Sequence, residues 1–178
     1  MRRPAADRHR LVDDLADLQN IERPGFKAAA DEIDLGDLAR RAVGLLGMKA
    51  EEKGIRIDAP RTDDKAPATG EFRRVLQVLL NLLHNALDAM ASAETRQLHI
   101  RIQRQADTCL LSVADSGGGI AAEALDHVFE PFFTTKPVGA GLGLGLAVSY
   151  GIVRELGGSL EATNGEQGAV FTLRLPAA

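Results

Sequence analysis

The sequence has one cysteine, one tyrosine and no tryptophan. A lone thiol cannot build an internal disulfide framework, so an apolar core must hold the fold, and a reducing cytosolic setting is expected. Cys109 lies in the apolar stretch Cys109-Leu-Leu-Ser-Val113, where a buried structural thiol is the expected reading. No apolar run reaches the roughly 18 residues of a membrane span, and the N-terminus lacks the hydrophobic core of a signal peptide. An excess of positive charge is missing too: 21 Lys and Arg face 25 Asp and Glu, a net charge of −4. Binding to nucleic acid or to a membrane surface is therefore not predicted. Arg2, Arg3, Arg8 and Arg10 are followed at once by Asp13, Asp14 and Asp17, which reads as a mixed-charge helix face.

What is present suits one globular domain with an extra element: 178 residues, 45% apolar and 26% charged. Leu11, Leu15 and Leu18, with Val12 and Ile21 beside them, predict a helix over 7–22 that Pro24-Gly25 stops. Its narrow apolar stripe wants a partner helix. Asp34 is the expected N-cap of a second helix running to about Lys53, with Leu35, Leu38, Val43 and Leu46 inward. Alternation predicts a strand after Gly54, then a polar loop to about Gly70. The strongest helix follows, from about Glu71 to Met90. Strands over 97–103 and 108–114 form a hairpin, and a glycine-rich region covers 115–143. A helix from about Leu144 to Leu156 closes at Gly157-Gly158, and a last hairpin (159–163 and 169–175) turns at Asn164-Gly165. Helices then lie on one face of a mostly antiparallel sheet, an α/β sandwich.

Four groups of residues carry chemical information. On the helix over 71–90, Arg74, Gln77, Asn81, Asn85 and Asp88 share about a third of the circumference. That stripe is either a solvated face or a pair of amide oxygens aimed at a metal ion or phosphate. Asp115-Ser-Gly-Gly-Gly-Ile120 follows an apolar strand. It is either a plain turn or a loop whose carboxylate accepts a hydrogen bond from an exocyclic amine while glycines let a flat ligand approach. Phe129-Glu-Pro-Phe-Phe-Thr134-Thr135-Lys136 holds half of the chain's six phenylalanines, either as a core anchor or as a site whose hydroxyls and lysine reach phosphate, and an aromatic hinge holding a mobile loop would combine the two. Gly139-Ala-Gly141-Leu142-Gly143-Leu144-Gly145-Leu146 enters a helix, where free backbone N–H groups and the helix N-terminus favour an anion. Its spacing fits neither G-x-G-x-x-G nor G-x-x-x-x-G-K-[ST], and H-R-D and D-F-G are missing from the chain.

These groups, in this order, resemble the boxes of the sensor histidine kinase ATP-binding domain. Asn81-Leu-Leu-His84-Asn85 resembles the N box, Asp115-Ser-Gly117-Gly-Gly119 the first glycine box, Phe129 to Lys136 the F box and Gly141 to Leu146 the second glycine box. Gly168-Ala-Val-Phe-Thr172-Leu-Arg-Leu-Pro176 is similar to the domain's last strand. Asn85-Ala-Leu-Asp88-Ala-Met90 and the Phe-Phe-Thr-Thr-Lys run resemble the nitrogen-regulation and dicarboxylate-sensor branch. The resemblance spans about residues 34–176. It implies the Bergerat ATP-binding fold shared with gyrase and Hsp90-like ATPases, preceded by a short helical stub: 1–24 as the tail of a dimerisation helix, 25–33 as linker and 34–178 as the catalytic domain.

The resemblance further implies Mg²⁺ and ATP as cofactors. Asn85 would coordinate Mg²⁺, with Asn81 near the same phosphates as its catalytic companion and His84 and Asp88 alongside. Asp115 would bind the adenine amine, with Gly117, Gly119 and Ile120 around the base. Thr134, Thr135, Lys136, Gly139 and Gly141 to Leu146 would cover the phosphates as a lid, and Thr172 would help at the adenine through water. Asp88 stands where many members carry a basic residue, and Leu142 where Thr or Ser is more common. None of His9, His84, His99 and His127 has the acid and proline that follow the family's phosphoacceptor. The substrate histidine is therefore expected on a dimerisation domain outside this sequence, with a response regulator downstream and the 7–22 stripe open to self-association. The parent protein is expected in the cytoplasm or anchored to a membrane. Two other readings stay open: an ATP-hydrolysing clamp, which generally has a glutamate base where this chain has Asn81, and a regulatory module that holds nucleotide without transferring phosphate.

Overall fold

The computed structural model describes residues 31–135 and 143–178. The predicted helix over 7–22 and residues 25–30 of the expected linker lie outside the described residues. The chain enters as β1 (Asp31–Asp34), which gives way at once to α1 (Leu35–Glu52). Asp34 is the N-cap, as the sequence predicts: its Oδ1 accepts from Gly36 N at 2.7 Å and from Asp37 N at 3.3 Å. Leu35, Leu38, Ala39, Ala42, Leu46 and Ala50 form the buried stripe of α1.

β2 (Arg56–Asp58) and β3 (Pro67–Gly70) precede α2 (Phe72–Ala89). β4 (Gln97–Arg104) and β5 (Thr108–Asp115) form the predicted hairpin, followed by the one-turn α3 (Ala122–Leu125), α4 (Gly145–Glu155) and the closing hairpin of β6 (Ser159–Asn164) and β7 (Ala169–Pro176). The main sheet has the order β2-β4-β5-β7-β6. β2 runs parallel to β4 and every other pairing is antiparallel. Strand alternation sets its two faces. Cys109, Leu111, Val113 and Asp115 of β5 and Ala169, Phe171, Leu173 and Leu175 of β7 are buried towards the helices.

Two expectations change. The polar loop before Gly70 ends in β3, which pairs with β1 in a small antiparallel sheet, Asp31 opposite Gly70 and Asp34 opposite Pro67. Both strands are four residues long with only one or two inward side chains, below what periodicity can detect. The expected linker thus ends inside β1, and the folded unit includes Asp31. The last hairpin turns through four residues rather than at Asn164-Gly165: Asn164 pairs with Ala169 as the final rung, and Gly165 N donates to Gly168 O at 2.8 Å. Asn164 is freed for another task, described below.

Candidate functional site

The polar stripe of α2 divides into two functions. Its first half is packed against α4. The Arg74 guanidinium pairs with Glu155 at 2.6 Å, and Asn81 Nδ2 donates to Ser149 Oγ at 2.9 Å, where Ser149 is only 2% exposed. A Cβ at Gly145 would lie 2.4 Å from Asn81 Oδ1, so the start of α4 is seated against that amide. Asn85, one turn further, is half-buried, and its amide makes no hydrogen bond among the described residues. His84 and Asp88 lean towards α1: Lys49 Nζ is 3.3 Å from His84 Nδ1, and Lys53 Nζ is 3.2 Å from Asp88 Oδ1. A single stripe of sequence thus supplies helix-packing groups and one amide without a partner among the described residues.

Asp115 ends β5 at 7% exposure. Its Oδ1 accepts from Gly117 N at 2.8 Å and from Ala169 N at 3.4 Å. Its Oδ2 accepts nothing among the described residues. Burial raises its pKa above the ordinary carboxylate value, opposed by the two backbone donors. The surroundings exclude side chains: a Cβ on Gly117 would lie 2.9 Å from Ala89 O, and one on Gly168 2.2 Å from Asp115 O. Gly119 has φ +72°, a conformation that glycine adopts without steric cost. The next residue, Ile120, is held by Asn164: Ile120 N donates to Asn164 Oδ1 at 2.8 Å, and Asn164 Nδ2 donates to Ile120 O at 2.7 Å.

In the phenylalanine segment one ring is a core anchor and another is exposed. Phe129 is the anchor, its ring 5.2 Å from Tyr150 and edge-on to Phe171 at 6.4 Å. Phe132 is 67% exposed at φ +67°, a strained backbone for a bulky side chain. Its N donates to Gly143 O at 3.0 Å, and a Cβ on Gly143, itself at φ +68°, would strike Phe133 O at 2.4 Å. These contacts bring Gly143 against Phe132 and Phe133, and the next two residues, Thr134 and Thr135, are exposed. Lys136, Gly139, Gly141 and Leu142 lie outside the described residues. Leu144 is buried, and Gly145 and Leu146 open α4, whose N-terminus carries no side-chain cap. A helix N-terminus of this kind favours an anion.

Thr172 is a correction. Alternation along β7 puts it on the face opposite Asp115, beside Ser112 and Arg174 in a shallow groove on the outer side of the sheet. The residues that do meet Asp115 are Gly168 and Ala169, two positions that reading the segment only as a last strand passed over. Asn164 was missed for a related reason, since as a turn residue it gave no sign of reaching across 44 positions to Ile120.

Residues 70–178 match the family described as histidine kinase-, DNA gyrase B- and HSP90-like ATPase. The chain belongs to this family. Within it, the chain is 43% identical over 164 residues to the C4-dicarboxylate transport sensor protein DctB of Rhizobium meliloti, covering 89% of this chain and 25% of that protein. Among solved structures it resembles the catalytic domain of histidine kinase ThkA, with a TM-score of 0.75 and 30% identity over 84% of this chain and 99% of that one. It also resembles full-length ShkA in complex with AMPPNP, with a TM-score of 0.79 and 27% identity over 95% of this chain and 35% of that one. ThkA has further been solved in complex with the response regulator protein TrrA, where the TM-score is 0.72 at 27% identity, over 96% of this chain and 48% of that one. The fold and the ATP-binding catalytic class are thus those of histidine kinases, although the chain spans only a quarter of the length of DctB. No helix among the described residues is long and apolar enough to cross a membrane.

Proposed function

We propose that this domain binds Mg-ATP and donates the γ-phosphoryl group to a histidine on a dimerisation domain, as the catalytic half of a two-component sensor kinase. The observation that carries the reading is Asp115, a buried carboxylate with one oxygen tied to backbone donors and the other free. A free acceptor at the end of a strand, ringed by glycines too close-packed for side chains, suits the exocyclic amine of adenine and the flat base beside it.

Asn85 fits the metal. Mg²⁺ keeps several waters and takes few protein oxygens beside those of phosphate, which agrees with one amide that has no partner among the described residues. The ion would neutralise charge between the phosphates. Thr134, Thr135, Lys136, Gly139 and Gly141 to Leu146 would contact the phosphates, as in the family's second glycine box and the end of its F box. Gly117, Gly119 and Ile120 shape the adenine end. Asn81 acts by positioning, through Ser149 and the seat of Gly145. Catalysis in this scheme is orientation and charge neutralisation, with no covalent intermediate on the domain.

Transfer is favoured over hydrolysis because Asn81 is an amide already donating to Ser149, and an amide cannot abstract a proton from water. The AMPPNP bound to ShkA and the response regulator bound to ThkA support nucleotide and regulator as partners here. The deciding experiment mixes the chain with γ-labelled ATP and a separate dimerisation domain of a related sensor kinase. Phosphohistidine on the partner is expected, and free phosphate without it would contradict the proposal.

A further inference from the structure

α4 buries Ala147, Val148, Ile152 and Val153 and meets the polar stripe of α2 at two anchors. At one, Asn81 donates to Ser149 at 2.9 Å and has Gly145 seated against its amide oxygen. At the other, Arg74 pairs with Glu155 at 2.6 Å. From Arg74 to Asn81 and from Ser149 to Glu155 is about 10 Å of helix in each case, so a slip of one turn would break both anchors. Just past Glu155, the chain is pressed on β7: a Cβ on Gly158 would lie 2.1 Å from Arg174 O. That end of α4 is a fixed pivot, and the Arg74 pair sets the direction in which the helix leaves it.

As a means of holding two helices together, this ion pair is a poor one. Its side chains are only 17% and 27% exposed, and desolvation offsets much of the attraction between charges taken out of water. Arg74 Nη1 is buried with no hydrogen-bond partner among the described residues, which costs further stability. Both ions also stand at the unfavourable ends of their helices, Arg74 in the first turn of α2 and Glu155 as the last residue of α4. Apolar contact would join α2 and α4 without these costs, but it is non-directional and does not fix the angle between them. We propose that Arg74 and Glu155 are positioning residues for phosphoryl transfer: their ion pair sets the angle of α4 across α2 and so places Gly145 and Leu146 relative to Asn85. This role rests on the reading of the site as one for Mg-ATP. Gly145 lies about 15 Å along α4 from Glu155, so a tilt of about 10° at the pivot moves the helix N-terminus by roughly 2–3 Å. A misplacement of about 1 Å is enough to slow a reaction that depends on orientation about a hundredfold.

The test uses the full chain with γ-labelled ATP and a separate dimerisation domain of a related sensor kinase. It follows single-turnover phosphohistidine formation at saturating Mg-ATP, together with the thermal midpoint. Arg74→Met with Glu155→Leu replaces the ion pair by apolar side chains. Its midpoint is expected to stay near the parent's or to rise, while the transfer rate falls at least about tenfold. Arg74→Glu with Glu155→Arg restores the pair with each charge at the favoured end of its helix. That swapped chain is expected to recover most of the rate that either single variant loses. An apolar variant that folds and transfers at the parent's rate overturns the positioning role. Should the apolar pair lower the midpoint, the swap decides: a swapped chain no faster than its single variants overturns the role as well. Failure of the Mg-ATP reading looks different, because the parent itself then neither binds nucleotide nor labels the partner, and the positioning role falls with it.

Discussion

The carboxamide of Asn164 grips both backbone groups of Ile120, accepting from its N–H at 2.8 Å and donating to its carbonyl at 2.7 Å. The same amide oxygen would be 2.9 Å from a Cβ at Gly119. The loop after Asp115 is thereby held by a residue of the hairpin that closes the sheet. Asn164→Ala removes both bonds, at a cost to stability of about 1–3 kcal/mol. The loop is freed at the proposed adenine end, and Mg-ATP affinity is expected to fall about tenfold. Titration calorimetry beside thermal unfolding separates the two effects. An unchanged affinity would deny the clamp any part in the site.

The two asparagines of α2 should separate by readout. Asn81→Ala loses the bond to Ser149 and is expected to lower stability by about 1 kcal/mol, with an effect shared by Ser149→Ala in a double-mutant cycle. Asn85→Ala breaks no hydrogen bond among the described residues, so its thermal midpoint without nucleotide should stay near that of the parent while Mg-ATP binding is lost. The opposite pattern, a destabilised Asn85 variant with intact binding, contradicts the assignment.

Asp115→Asn tests burial of charge. The native carboxyl has a raised pKa because burial disfavours its ionised form. Its contribution to stability is therefore greatest below the ordinary value of 3.8 and is lost as pH rises through the raised native value. Relative to the parent, the variant without nucleotide should gain in thermal midpoint across that window and level off above it, while binding ATP more weakly at neutral pH. A constant difference from pH 3 to 7 would show that the carboxyl does not titrate as its burial requires.

Thr172→Ala is expected to leave ATP affinity unchanged, because Thr172 lies on the outer face of the sheet. A loss of affinity under calorimetry would mean that the outer face communicates with the nucleotide.

Most of the architecture was legible because it is periodic. α1 with its Asp34 cap, α2, the β4–β5 hairpin and α4 follow from apolar spacing and capping chemistry. β1 and β3 did not, since their pairing is carried by backbone hydrogen bonds between four-residue segments with little pattern. At the candidate site, local spacing singles out Asn85, Asp115, Gly117 and Gly119, whose surroundings the fold then supplies. It does not single out the residues that arrive from far along the chain. Asn164 and Gly168 act through contacts 44 and 53 positions away, at Ile120 and Asp115, which no local spacing encodes. The sequence also could not divide the α2 stripe, because only the position of α4 decides that Arg74 and Asn81 pack while Asn85 stays open. Thr172 failed on strand parity, a register that the pairing of β5 with β7 fixes.

Calorimetric titration of Mg-ATP into the chain and into its Asn85→Ala and Asp115→Ala variants tests the central claim most directly. The parent is expected to bind at roughly micromolar to millimolar strength and both variants to show no binding over the same range. Binding in both variants at the parent's strength would contradict the site and the function built on it.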